Sequence, residues 1–247
     1  MKKILTFMLF ALLILPLEGQ IGRYPFYTSS GPRTYATVLN DGNHYWFIGD
    51  EGVTLDEADS VVSWQSQGKS LTISAPWPTT ILTKKPRQIG DSIVFNGSNV
   101  LFNNTPVSQP IMVYMVVNQL ATPVGWEDEN MFLGGSTSYL KQNLSSPKIF
   151  LYAGASSTTI DGPAIGVKGI IRVLFKDNDG FIKINDNTGW TGDTGANGWD
   201  AIVIGNNVAA SMTHCINAAF WEIIIGPENT EADETIIMNY LKEKHGL

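Results

Sequence analysis

The segment Ala218-Ala219-Phe220-Trp221-Glu222-Ile223-Ile224-Ile225 is the most strongly strand-forming stretch near the end of the chain. Its aromatic and β-branched residues fit a half-buried, pleated surface. Gly226-Pro227 ends it, because proline has no N–H to donate to a neighbouring strand. Thr230 then fits a helix N-cap, followed by acidic residues in the first turn and basic residues in the last. We therefore expect a strand, a turn and a C-terminal helix, with Glu222 as a structural carboxylate that accepts hydrogen bonds from backbone or tryptophan donors.

Shorter segments of the same kind precede it at fairly regular spacing, separated by Gly, Asn and Asp turns. Ile111 to Val117 is apolar at every position, which is typical of a central strand covered on both faces. Gly169 to Lys176 is expected to pair with Phe181 to Asn185, with Ile171, Val173 and Phe175 on one face. Many strands and one terminal helix predict an all-β sandwich.

Three separated motifs resemble one family. The ending "Phe-Trp-Glu-Ile-Ile-Ile-Gly … Tyr-Leu-Lys-Glu-Lys-His-Gly" is similar to the close of concanavalin A-like (laminin G-like) jelly-roll domains. Val61-Val62-Ser63-Trp64 resembles the family's first tryptophan motif, although Gln65 stands where an aspartate is usual. Ile93 to Leu101 resembles its Asn-Gly hairpin. The resemblance implies a sandwich of two antiparallel sheets with a short C-terminal helix, spanning residues 36–247.

The first 35 residues read differently. Met1 to Gly19 has a lysine pair, an apolar run of 12 residues from Ile4 to Leu15, and a small-residue end, as in a secretory signal peptide. The apolar run is shorter than the roughly 20 residues of a membrane span. The alternative to a cleaved signal peptide is an uncleaved interfacial anchor. Residues 20–35 read as an extended arm, whose Tyr24–Tyr27 segment could serve assembly. We expect a secreted or cell-surface protein with no integral membrane segment after signal cleavage.

Charge and cysteine content exclude several classes. The net charge is −7 and no basic cluster is present, so nucleic acid is not an expected partner. Cys215 is the only cysteine, which excludes an internal disulfide and predicts a small buried thiol. The fold must therefore be held by its apolar core.

Sugar recognition is the function that the residues favour. Sugar sites combine an aromatic face with planar polar groups, and the glycine-rich loop 187–200 supplies such groups. The expected ligand-binding residues are Trp190, Asp193, Asn197, Trp199 and Asp200, with Trp126 beside Glu127 and Asp128 as a second combination. The alternative for each of these tryptophans is a place in the core beneath a loop. Trp46, Trp64 and Trp221 lie on strand-like segments and are expected in the core.

Calcium is the cofactor to weigh, and we expect none. Asp177-Asn178-Asp179-Gly180 has oxygen ligands at alternate positions, but it lies between two strands, where Asp-Gly is good hairpin chemistry. Asp193, Asn197 and Asp200 are a second candidate set. The histidines at positions 44, 214 and 245 have no metal-ligand spacing.

An enzyme is the third possibility. A glycoside hydrolase needs two carboxylates that face each other across a bond. The dense acidic cluster Glu127-Asp128-Glu129 is consecutive, so its side chains cannot share one face of a strand. We therefore expect a secreted binding module without catalytic residues that recognises a glycan or a surface protein. The alternative is a structural or adhesion protein of a cell surface or virion, which could form a homo-oligomer. A hydrolase or lyase is less favoured.

Overall fold

The computed structural model describes residues 33–75, 85–122, 130–143, 147–157, 159–206 and 215–247. The predicted signal peptide and all but the last three residues of the predicted arm lie outside these ranges, as does Trp126. Residues Thr34–Leu247 form one compact unit. Within the described residues, no helix is long and apolar enough to cross a membrane.

Seventeen strands form two antiparallel sheets in the described part of the chain. Sheet A has the order β15-β14-β13-β8-β17-β6-β5, and its β1 also pairs with β17. Its strands are β1 (Tyr45–Ile48), β5 (Arg87–Ile89), β6 (Ser92–Asn96), β8 (Ile111–Gln119), β13 (Lys168–Phe175), β14 (Gly180–Ile184), β15 (Trp190–Gly192) and β17 (Asn217–Gly226).

Sheet B has the order β12-β11-β10-β9-β16-β7-β4-β3-β2. Its strands are β2 (Val53–Leu55), β3 (Val61–Gln65), β4 (Thr72–Ser74), β7 (Leu101–Asn103), β9 (Asn130–Gly134), β10 (Tyr139–Gln142), β11 (Lys148–Tyr152), β12 (Ile160–Asp161) and β16 (Ile202–Ile204). The predicted two-sheet antiparallel sandwich is confirmed. Its assignment to the concanavalin A-like class stays a prediction.

The core lies between the two sheets. Trp64, Phe132 and Leu140 of sheet B pack there against Phe47, Phe220 and Val113 of sheet A. The ring of Phe47 lies 5.4 Å from that of Trp64, and the ring of Phe220 lies 6.5 Å from that of Phe132. These contacts join strands far apart in sequence, and the burial of apolar surface between them stabilises the packing of the two sheets.

A second apolar layer covers the outer face of sheet A. Two helices supply it: α1 (Tyr35–Leu39) and α2 (Glu231–His245). Val38, Ile237 and Leu241 of these helices pack on Tyr114 and Ile224 of the sheet. The prediction that β8 is covered on both faces is therefore confirmed, with helices rather than a sheet on one side.

The N-terminus of α2 is capped as expected, and its C-terminus is capped as well. Thr230 accepts a hydrogen bond from the Asp233 N–H, and Gly246 closes the C-terminus with a positive φ of 67°. The helix α1 differs from the sequence prediction, which assigns Tyr35 to the extended arm and strands to the residues after it. Its N-cap Thr34 and Thr37 hydrogen-bond reciprocally across the first turn, and this capping box stabilises a helix of only five residues.

The predicted hairpin from Ile93 to Leu101 is wrong. The chain does turn at Gly97, which has a φ of 82°, but β6 belongs to sheet A and β7 to sheet B. Phe95 and Leu101 enter the core from opposite sheets. The segment is therefore an arch between the sheets, because both strands have an apolar face that the interior must bury.

A bulge in β17 decides which way Glu222 points. Phe220 is opposite Val117 and Glu222 is opposite Val116, so Trp221 is an extra residue in the pairing with β8. Without it, Glu222 would share the inward face of Phe220. With it, Ile223 turns into the core and Glu222 turns outward beneath α2.

Glu222 is fully buried there, at 0 % exposure, and is held by three donors. The Trp46 indole N–H donates at 2.5 Å, His245 Nε2 at 2.9 Å and Lys244 Nζ at 3.0 Å. Burial by itself raises the pKa of Glu222, but the hydrogen bonds from His245 and Trp46 and the charge of Lys244 outweigh it, so the pKa is lowered. The predicted structural role of this carboxylate, with a tryptophan donor, is confirmed.

We expect Glu222→Ala to lower the free energy of unfolding by about 3–5 kcal/mol, because it leaves buried donors and a charge without their acceptor. Urea unfolding followed by circular dichroism measures this. The control is Glu57→Gln, an exposed carboxylate, for which a change within about 0.5 kcal/mol is expected. Equal effects of the two changes would contradict the role of Glu222.

The pH dependence of stability follows from the same carboxylate. A carboxyl whose pKa is lower in the folded state stabilises the fold above its ordinary value of 4.5, and the contribution is lost as the pH falls through the folded pKa. We therefore expect the stability gap between wild type and Glu222→Gln to narrow from about pH 7 to about pH 3. Urea midpoints at both pH values test this; a gap that widens on acidification would contradict it.

Candidate functional site

The predicted binding loop lies at one end of the sandwich, tied to three neighbouring loops. The Thr194 N–H donates to the Asp177 carbonyl at 2.7 Å, and the Asn197 N–H donates to the Ala153 carbonyl at 2.8 Å. Trp199 forms an antiparallel bridge with Val107. These bonds fix residues 193–200 across the end of both sheets, so the loop is a built surface.

Trp199 does not have the predicted role. It is 2 % exposed and packs edge-on against Phe175, with ring centres 5.2 Å apart. Its flanking residues bring the chain back towards sheet B, so the indole fills the end of the core and offers no face to a ligand. Trp190 is half-buried against the core and lies over Gly192. An exposed tryptophan pair is therefore not formed.

The polar residues of the loop are exposed and hold the turns together. Asp193 accepts a hydrogen bond from the Gly195 N–H at 2.7 Å. Asp200 accepts from the backbone N–H of Ser136 at 2.7 Å and from its hydroxyl at 2.5 Å. Partial burial raises the pKa of Asp200, but the two Ser136 bonds outweigh it, and the pKa is lowered. Asp200 is therefore ionised at neutral pH.

The Asp177–Gly180 segment is the turn between β13 and β14. The Asp179 N–H closes it on the Lys176 carbonyl at 2.7 Å, and the Asp177 N–H donates to Gln109 Oε1 at 2.8 Å. The side chains of Asp193, Asn197 and Asp200 hydrogen-bond to three different residues, which are Gly195, Thr137 and Ser136 respectively. In the part of the chain that the structure describes, no group of three or more His, Cys, Asp or Glu side chains could hold a metal ion.

The structure adds an aromatic pair that the sequence reasoning missed. Tyr139 and Tyr152 are directly opposite each other on β10 and β11. Their rings stack 5.2 Å apart at an interplanar angle of 28°, half-buried on the outer face of sheet B, while Leu140 and Leu151 fill the core. The alternation in both segments indicates outward tyrosines, but only the pairing register makes them neighbours.

This pair lies beside the predicted loop. The Asn197 side chain donates to the carbonyl of Thr137, two residues before Tyr139. It also lies over Gly154, two residues after Tyr152, where a Cβ would come within 3.1 Å of Asn197 Nδ2. We call the set Tyr139, Tyr152, Asn197 and Asp200 the tyrosine-loop site. It combines a flat aromatic surface with an exposed amide and an exposed carboxylate.

The surroundings of the tyrosine-loop site are acidic. Asp177, Asp179 and Asp193 lie at the same end of the sandwich and are exposed. Lys141 packs over the rings of Tyr139 and Phe150, at 5.8 and 4.8 Å from their centres, and is buried. Lys176 Nζ lies 3.9 Å from Asp179 and offsets its charge, so the negative charge of this end comes from Asp177, Asp193 and Asp200.

These features define the chain as an all-β sandwich with a half-buried aromatic pair at one end. No protein-family model and no curated protein matches the chain. Several solved structures are similar to it. A Trypanosoma rangeli sialidase in complex with sialic acid has a TM-score of 0.56 and 11% identity, over 83% of this chain and 33% of the sialidase.

A second similar structure is the receptor binding domain of botulinum neurotoxin type G. It has a TM-score of 0.52 and 10% identity, over 80% of this chain and 51% of that domain. The chain thus spans a third of the sialidase and about half of the neurotoxin domain. At such identities the likeness shows a shared β-sandwich architecture, found in sialidase-related and receptor-binding proteins.

We expect Trp199→Ala to lower the free energy of unfolding by about 3–5 kcal/mol, as for other buried aromatic residues, because it leaves a cavity in the core. Trp190→Ala, at the edge strand, should have an effect of about 1 kcal/mol. Urea unfolding of both variants measures the difference. An equal, small effect of the two changes would contradict the buried position of Trp199.

Proposed function

We propose that this chain is a secreted, non-catalytic glycan-binding module that uses the tyrosine-loop site. The observation that carries the proposal is the stacked pair of Tyr139 and Tyr152 next to the exposed amide of Asn197. Aromatic rings supply a large, rigid surface for the C–H face of a sugar ring, and a few fixed polar groups orient its hydroxyls. Asn197 can donate to and accept from hydroxyls, and Asp200 accepts from them.

The local charge favours a neutral glycan. Asp177, Asp193 and Asp200 would repel a carboxylated or sulfated sugar, whereas the charge of Asp179 is offset by Lys176. The ligand class therefore differs from the sialic acid found in the sialidase complex, although the architecture is similar. A neutral hexose or pentose oligomer matches both the flat tyrosine pair and the acidic rim.

The carboxylate of the site supports binding rather than hydrolysis. A glycosidase needs a general acid whose pKa is raised, usually by an apolar environment. Asp200 has the opposite character, because the Ser136 hydrogen bonds lower its pKa. The acidic cluster Glu127–Glu129, weighed above as catalytic, lies outside the described residues.

The alternative, an adhesion or structural protein, is supported by an exposed aliphatic group at the opposite end of the sandwich. Leu120, Ile165 and Val167 are each more than a third exposed there, brought together as the Gly166 N–H donates to the Gln119 carbonyl. Apolar groups of this kind mark protein contacts more often than sugar sites.

A glycan array separates the two functions. We expect the full chain to bind neutral oligosaccharides and not their sialylated or sulfated forms. Tyr152→Ala and Asn197→Ala should each weaken binding about tenfold, because each removes a central contact. The matched controls are Phe181→Ala, a half-buried aromatic on the outer face of sheet A, and Asn239→Ala, an exposed amide on α2; both should bind as the wild type does.

No binding by a folded wild type would reject the glycan function, and sedimentation would then look for the oligomer that the alternative expects. Binding that survives both site variants would place the glycan elsewhere. Preference for sialylated glycans would contradict the neutral ligand class.

A further inference from the structure

A separate cleft of about 450 Å³ opens on the outer side of sheet A, where α1 meets the last turns of α2. Three aromatic rings and three charged side chains line it: Tyr35, Trp46, Tyr240, Glu51, Glu243 and Lys244. Its volume falls at the small end of the range for small-molecule sites. We call it the aromatic cleft.

The rings form a fixed corner. Tyr35 stacks on Tyr240 with ring centres 4.0 Å apart, and both meet Trp46 at nearly right angles, at 6.3 and 5.9 Å. Trp46 is held from below by its hydrogen bond to Glu222. Tyr35 is 40% exposed, so one aromatic surface of the corner faces solvent. The faces of such rings carry the negative part of the π quadrupole, which attracts cations.

The charges of the cleft are unbalanced. Lys244 Nζ lies 3.0 Å from the buried Glu222, so the charge of this lysine is already neutralised. His245 Nε2 contacts the same carboxylate oxygen at 2.9 Å. Glu51 and Glu243 are exposed on the rim, and neither makes an ion pair within the described ranges. The rim therefore has two negative charges with no counterion from the described chain.

Lys244 also shows that this arrangement holds an ammonium group. Its Nζ donates to the Tyr240 hydroxyl at 3.0 Å, lies 5.5 Å from the centre of that ring, and pairs with a carboxylate. Tyr35, Glu51 and Glu243 line the same cleft, so an aromatic surface and carboxylates occur together there a second time. Among the described residues, no ion pair is formed by these two glutamates.

We propose that the aromatic cleft binds a small organic ammonium ligand, with its cationic head against Tyr35 and Trp46 and its charge balanced by Glu51 and Glu243. Aromatic corners are well suited to alkylated ammonium groups, which are weakly hydrated and lose little on leaving water. The negative charges of the rim repel anionic ligands, and they give neutral ligands no electrostatic attraction. The cleft is independent of the tyrosine-loop site, because the two lie on different sheets.

The test uses choline and its uncharged isostere 3,3-dimethylbutan-1-ol as probes of the full chain, followed by NMR titration. We expect saturable choline binding and at least about tenfold weaker binding of the isostere. The double variant Glu51→Gln, Glu243→Gln should bind choline about five- to tenfold more weakly, in line with two partly screened ion pairs. Tyr35→Ala should weaken binding similarly, and its exposed helical position tolerates alanine.

The control variants are Glu57→Gln, an exposed carboxylate away from the cleft, and Tyr152→Ala in the tyrosine-loop site; both should bind choline as the wild type does. No saturable choline binding by the folded wild type, or equal binding of the uncharged isostere, would overturn the proposal. Choline binding lost in Tyr152→Ala and kept in Tyr35→Ala would also overturn it, because the ligand would then occupy the other site.

Discussion

The one-residue bulge at Trp221 is the constraint on which most of this structure depends. It lets Phe220 and Ile223 both face the core of the sandwich, although they are three residues apart in the longest strand of sheet A. The same shift turns Glu222 away from that core and under α2. A charge that would be intolerable between two apolar sheets thus becomes the acceptor for Trp46, Lys244 and His245. Through these bonds the carboxylate fixes the end of α2 to β1 and shapes the floor of the aromatic cleft.

The two candidate sites follow from different demands of the same sandwich. Sheet A needs a cover for its apolar outer face, and the helices that supply it leave a charged aromatic cleft at their junction. Sheet B ends in turns that must satisfy their backbone groups, and Asp193, Asn197 and Asp200 do so with their side chains. Those side chains are therefore structural first, and the ligand contacts proposed for Asn197 and Asp200 come in addition to this role. The stacked tyrosines supply an apolar surface beside them.

The similar solved structures support the architecture and leave the chemistry to this chain's own residues. At 10–11% identity, a shared sandwich with the sialidase and with the neurotoxin domain reflects how two antiparallel sheets pack, and the residues on their surfaces differ. The neutral ligand class proposed for this chain rests on Asp177, Asp193 and Asp200, which the architecture does not require.

The sequence by itself determined the elements whose signals are local. The apolar run of β8, the alternation of β13 and the capped N-terminus of α2 needed only residue type and spacing, and each was predicted correctly. Only the tertiary structure decided what depends on pairing. The sequence of the turn at Gly97 fits both a hairpin and an arch between the sheets. The sequence around Trp199 likewise fits both an exposed loop aromatic and a buried core aromatic. Tyr139 and Tyr152 lie 13 residues apart, and the register of β10 with β11 makes them one surface. Sheet partners and bulges are set by which faces the whole core can bury together, and that is a property of all the strands at once.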